Sequence, residues 1–168
     1  MKKVEMTDEM RSWSEQKACG FIFDGKTEYS VDVKRSVLVG RDAEACFQKL
    51  YPEAQWVDKP GYDFLLKGHR VEIKGSYVSG DYTQRPLYEL RCSITPYGMD
   101  RLDGCDWIVW FYILKDRTVG WCVGYMKRVA FMECNKTELN PGDKMVMSGK
   151  PAPFKLYEIP ASFTRELP

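Results

Sequence analysis

Glu72-Ile73-Lys74 places a carboxylate and an ammonium two residues apart, and Asp63 precedes them across an eight-residue spacer. On an extended segment residues two apart share a face, so Glu72 and Lys74 point together while Val71 and Ile73 point the other way. A hairpin whose turn brings Asp63 level with Glu72 would gather two carboxylates and one cation on one surface. Like charges that close repel, and a half-buried pair costs stability unless a cation neutralises it. A hard ion such as Mg²⁺ suits the pair, being held through one or two carboxylates, water and substrate phosphate. Taken singly, each residue has a plainer role: Glu72 and Lys74 as a solvent-facing strand pair, Asp63 as a turn acid after Gly61.

The elements that must position these groups are legible in outline. Tyr62–Leu66 and residues 70–74 read as two strands around the turn Lys67-Gly68-His69. Upstream, from Gly40, the apolar residues Ala43, Cys46, Phe47 and Leu50 fall at helical spacing, and Pro52 ends the run. Glu44 lies about 100° from the centre of that stripe, at its edge, from where a carboxylate reaches a neighbouring sheet without full burial. Downstream, residues 87–94 read as a third strand. Trp107–Leu114 is so uniformly apolar that it should be a central strand covered on both faces. Asp116-Arg117 turns it, residues 119–125 return beside it, and residues 154–159 form one further strand. At the start, Thr7 caps a helix that stops at Gly20, and residues 21–23 and 29–33 read as short strands about Asp24-Gly25. Residues 75–86 and 145–153 read as loops. The sum is a mixed sheet with a few helices, of the α/β or α+β kind, in a single domain with its core at about 38–128.

Asp63, the spacer and Glu72-Ile73-Lys74 inside a hairpin resemble the D…ExK signature of the PD-(D/E)xK nuclease superfamily. Its restriction-endonuclease-like core is a central mixed β-sheet flanked by a few helices. In that family a helix before the hairpin often supplies another acid, and Glu44 in RDAEACFQKL matches it. The later strands at 87–94 and from Asp106 fall where the family's later core strands fall, so the resemblance covers roughly residues 40–125, about half the chain. A bare Glu-x-Lys is expected about once by chance, with each charged type at about 6% of residues; the hairpin, the upstream aspartate and the Glu-bearing helix add the specificity. Pro60 stands three residues upstream of Asp63, where the family's proline directly precedes the aspartate. The resemblance implies that Asp63, Glu72 and the Ile73 carbonyl ligate Mg²⁺, with Mn²⁺ as substitute. It implies that Lys74 orients or deprotonates the attacking water and that Glu44 assists the first metal through water or helps hold a second. Arg91 or Ser93, which share a face, would fill the polar position on the third strand; a structural salt bridge is the other use for Arg91. The expected reaction is metal-assisted in-line hydrolysis of DNA.

The remaining composition excludes more than it assigns. Twenty-five Lys+Arg against 24 Asp+Glu leave a net charge of +1, so any polyanion surface must be local. Arg85, Arg101, Lys127 and Arg128 are candidate phosphate contacts flanking the site, and His69, the only histidine, is a turn residue with a phosphate contact as its alternative use. Tyr77, Tyr82, Tyr88 and Tyr97 are interleaved with basic residues and read as core or surface tyrosines, base stacking being the other use. A single histidine argues against Ser–His–Asp hydrolysis, and neither GxxxxGK[ST] nor GxGxxG occurs. Six cysteines stand without a CxxC pair, so reduced thiols are expected, not zinc ligands or bridges. The first residues lack the apolar segment of a secretion signal and no apolar run reaches membrane length, so a cytoplasmic protein is expected. With no separate target-reading domain visible, the expected selectivity is for DNA shape, ends or junctions, or through a homodimer, in a phage or mobile-element setting. A non-catalytic nucleic-acid- or protein-binding module on the same fold is the alternative, and a β-rich structural protein with a chance motif is a third.

Overall fold

The computed structural model describes residues 1–22 and 31–167. In chain order these form β1 (Lys2–Glu5), α1 (Asp8–Ile22), α2 (Val31–Leu50), β2 (Gln55–Lys59), β3 (Tyr62–Leu66), β4 (His69–Val78), β5 (Arg91–Ile94), α3 (Pro96–Asp100), β6 (Trp107–Leu114), β7 (Val119–Lys127), α4 (Arg128–Glu133), β8 (Thr137–Leu139) and β9 (Leu156–Pro160). Six strands pair in the order β1-β7-β6-β4-β3-β2, and β5-β9-β8 form a second, antiparallel sheet. Only β4 and β6 run parallel in the larger sheet, which is therefore mixed.

The central strand is β6, as its composition demands. Trp107, Val109, Phe111 and Ile113 face one buried cluster, with Ala43, Cys46 and Phe47 of α2 and Phe64, Val71 and Ile73 of the hairpin. Ile108, Trp110 and Tyr112 face the other, with Cys92 and Ile94 of β5 and Ile159 of β9. Both faces are thus apolar because both are covered, one by helices and one by the second sheet.

Two features seat α2. At Gly75 of β4 an added Cβ would lie 2.4 Å from the Val39 carbonyl oxygen and 3.0 Å from the Ala43 Cβ, so helix backbone rests directly on strand backbone. Asp42, fully buried, accepts from Arg117 Nε at 2.8 Å and Nη2 at 2.9 Å and from the Tyr77 hydroxyl at 3.1 Å. Arg117 also bonds Glu15 and the Arg11 carbonyl, tying α1, α2, β4 and the β6–β7 turn together.

Several expectations are corrected. α2 begins at Val31, not Gly40. Residues 21–22 and 31–33 are helical, not strand, and the rest of the expected hairpin lies outside the described residues. β4 continues through Gly75–Val78, which the sequence suggested as loop. Residues 87–89 make a single 3-10 turn, and the strand that follows joins the second sheet instead of the central one. The cysteines are free thiols, with Cys46, Cys92, Cys105 and Cys122 buried. No described helix is long and apolar enough to cross a membrane.

Candidate metal centre

The hairpin register follows from its turn. Lys67 and Gly68 both take positive φ, 48° and 82°, as a two-residue type I′ loop requires. That loop pairs Leu66 with His69, Leu65 with Arg70 and Phe64 with Val71; continued one step, Asp63 stands opposite Glu72. A one-residue slip would carry every side chain to the opposite face and separate the two acids. The backbone ladder stops at Phe64, and the Asp63 side chain replaces its next rung: Oδ2 accepts the Ile73 N–H at 2.8 Å. A strand residue directs its N–H and C=O toward the same neighbour, so the Ile73 carbonyl is directed to the side where Asp63 sits. Lys74 Nζ donates to Glu72 Oε1 at 2.5 Å, which confirms that these two residues share a face.

Glu44 approaches from α2. It is 5% exposed, more buried than its place at the edge of the stripe suggests. Arg41, one turn before it, donates from Nη1 to both of its oxygens at 2.9 and 2.8 Å, and the Trp56 indole donates to Oε2 at 3.1 Å. Trp56 is in turn held edge-on by Trp13, with ring centroids 5.6 Å apart, and carries the Lys17 ammonium 4.3 Å above its ring. Arg41 and Trp56 were not singled out from the sequence. The i,i+3 spacing of Arg41 and Glu44 is a signal that could have found the first; the second comes from the missed strand β2.

Burial, then the nearby Glu44 and Glu72 carboxylates, hold the Asp63 carboxyl well above the usual carboxylate range, against the pull of the Ile73 N–H and Lys74. Glu44 of α2 and Glu72 of β4 thus each oppose ionisation of Asp63 on β3. Cys105 also packs near this group; burial, with Glu72 adding to it, pushes its thiol up to about 12. Among the described residues no group of three or more His, Cys, Asp or Glu side chains is placed to hold a metal ion.

Neither the protein-family models nor the curated proteins contain a match to this chain.

The candidate nucleic-acid contacts scatter. Arg91 and Ser93 lie in the second sheet: Arg91 donates to the Tyr88 and Leu90 carbonyls at 2.6 and 3.0 Å, and the Ser93 hydroxyl to Glu158 at 3.1 Å. The expected third-strand polar residue is thus placed on a different sheet from Asp63 and Glu72. His69 stacks on Trp107 at 3.9 Å. Arg85 lies 4.8 Å over the Tyr82 ring in the loop after β4. Exposed Lys127 ends β7 opposite Trp107, and Arg128 is paired with Asp103. The Arg101 carbonyl abuts Gly61, two residues before Asp63.

Proposed function

We propose that the chain is a Mg²⁺-dependent nuclease of the PD-(D/E)xK type that hydrolyses DNA phosphodiester bonds with an activated water. The observation that carries this is the placement of Asp63 opposite Glu72, with Lys74 on the same face and Glu44 within electrostatic reach of Asp63. Two carboxylates and one backbone carbonyl are hard oxygen donors. They fit the partial protein complement that Mg²⁺ takes when water and substrate phosphate complete its shell. Asp63, Glu72 and the Ile73 carbonyl would hold the ion, and Mn²⁺ would substitute. The chemistry such an ion supplies when bound is an acidified water and counter-charge for the pentavalent phosphate.

The protein's own groups divide the remaining work. The Ile73 N–H fixes one Asp63 oxygen, and the other would serve the ion. Lys74 gives Glu72 its counter-charge before substrate arrives; handed to a phosphate oxygen or to the attacking water, the same ammonium offsets charge that grows in the transition state. Glu44, clamped by Arg41 and Trp56, brings a third acid to the same place without freedom to swing.

The test is Mg²⁺-dependent cleavage of plasmid and branched DNA by the purified protein. Glu72→Ala and Lys74→Ala should each reduce it by about 10²-fold or more. Cleavage that survives both substitutions removes the proposal. DNA affinity retained in EDTA, with no cleavage in Mg²⁺ or Mn²⁺, would instead assign a non-catalytic binding module.

A further inference from the structure

Tyr97 is 66% exposed yet firmly mounted. Its helix, α3, begins with Pro96 and is capped by Thr95, whose hydroxyl accepts the Gly98 N–H at 3.0 Å. One turn on, Arg101 Nη1 donates to the Tyr97 hydroxyl at 3.1 Å, with the guanidinium carbon 5.4 Å from the ring centroid. Arg70, Arg117 and Arg128 are each neutralised by a carboxylate. Among the described residues the partner of Arg101 is a neutral phenol, so its positive charge is left to meet an anion.

This pair is joined to the proposed metal centre by main chain. An added Cβ at Gly61 would lie 2.9 Å from the Gly104 Cα and 3.1 Å from the Arg101 carbonyl oxygen. Gly61 precedes Asp63 by two residues. Beyond Gly104, the Asp106 N–H donates to the Arg70 carbonyl of β4 at 2.8 Å.

We propose that Tyr97 is a stacking platform for an unpaired base and Arg101 the contact for its phosphate. The substrate class is then single-stranded or frayed DNA, with the unpaired nucleotide on the side of the cut where the Arg101–Gly104 segment abuts Gly61. The location of the cut rests on the nuclease proposal; the binding does not. Inside a duplex both faces of every base are covered by its neighbours, so a ring on an exposed helix corner takes an unpaired or extruded base. Tyr82, the other tyrosine carrying an arginine from this region, is half-buried against Tyr112, 6.2 Å away, and serves the core.

A fluorescein-labelled single-stranded 12-mer and the blunt duplex it forms with its complement, titrated by anisotropy in EDTA, decide it. The wild type should prefer the single strand. Tyr97→Ala should weaken that binding by about 10-fold and leave the duplex within about 2-fold, while Tyr97→Trp retains it. Arg101→Gln should weaken single-strand binding and reduce its salt slope by about 0.7. No single-strand preference in the wild type, or equal losses on both probes in Tyr97→Ala, overturns the proposal. Cleavage in Mg²⁺ without Tyr97 dependence of binding keeps the nuclease and removes the platform. Tyr97-dependent binding by a protein that never cleaves does the reverse.

Discussion

Gly75→Ala probes how the third acid is delivered. The new Cβ would stand 2.4 Å from the Val39 carbonyl oxygen, about 1 Å inside ordinary contact, and 3.0 Å from both the Val39 carbonyl carbon and the Ala43 Cβ. Two of these three atoms are main chain, so no rotamer change relieves the clash and α2 must move off β4 by about 1 Å. Overpacking of this kind costs about 1–3 kcal/mol, or roughly 3–10 °C in Tm for a chain of this size. Glu44 follows Ala43 directly and travels with the helix. A misplacement of about 1 Å in a catalytic group costs on the order of 10²-fold in rate. Urea unfolding measures the first effect. Plasmid cleavage in Mg²⁺, at a temperature where the variant is fully folded, measures the second. Ala43→Gly should not rescue either, because it leaves the Val39 carbonyl in place. A Gly75→Ala protein within about 0.5 kcal/mol of wild type would refute the backbone-on-backbone seating of α2.

Two other perturbations address the frame. Asp42→Asn removes the charge that Arg117 clasps through two nitrogens, leaving a half-buried guanidinium with a weaker partner there and Glu15 as its remaining carboxylate; a loss of about 2 kcal/mol is expected in denaturant unfolding, and a change under about 0.5 kcal/mol would show the network to be idle. The Arg70 guanidinium, by hydrogen bonds and charge, lowers the Asp106 carboxyl to about 2. A group depressed in the folded state stabilises above its unfolded pKa and loses that contribution as pH falls. Wild type should therefore lose stability relative to Asp106→Asn between about pH 4 and pH 2. Because the pair is partly exposed, the difference at neutral pH should be only about 1 kcal/mol. Parallel stability curves for the two proteins over that range would contradict this.

What could be read before the structure was local in origin. Lys67-Gly68 between alternating runs announces the hairpin, and the Ala43, Cys46, Phe47 stripe announces the helix that faces it. The apolar run of β6 announced its centrality because burial on both faces erases alternation. What escaped was decided at a distance. β1 is four residues with only Val4 buried, and its partner β7 lies over a hundred residues on. The strand at Arg91–Ile94 is placed by β9, so nothing nearby distinguishes the second sheet from the first. Gly40 looked like a helix start, but a Cβ there would meet nothing within 4 Å: it is an ordinary interior helix position, tolerated at about 1 kcal/mol. Glu44 was visible as a type in a place, whereas its burial required Trp56 from β2.

The contact of Gly61 with Gly104 has a practical corollary. With no side chain between the two strips of main chain, there is nothing there to compress or rotate, so the strand bearing Asp63 and the segment that follows Tyr97 hold a close backbone contact. Were both proposals right, this contact would act as a ruler, setting one offset between a captured nucleotide and the severed bond. End-labelled products of a duplex carrying a single unpaired nucleotide should then form one sharp band.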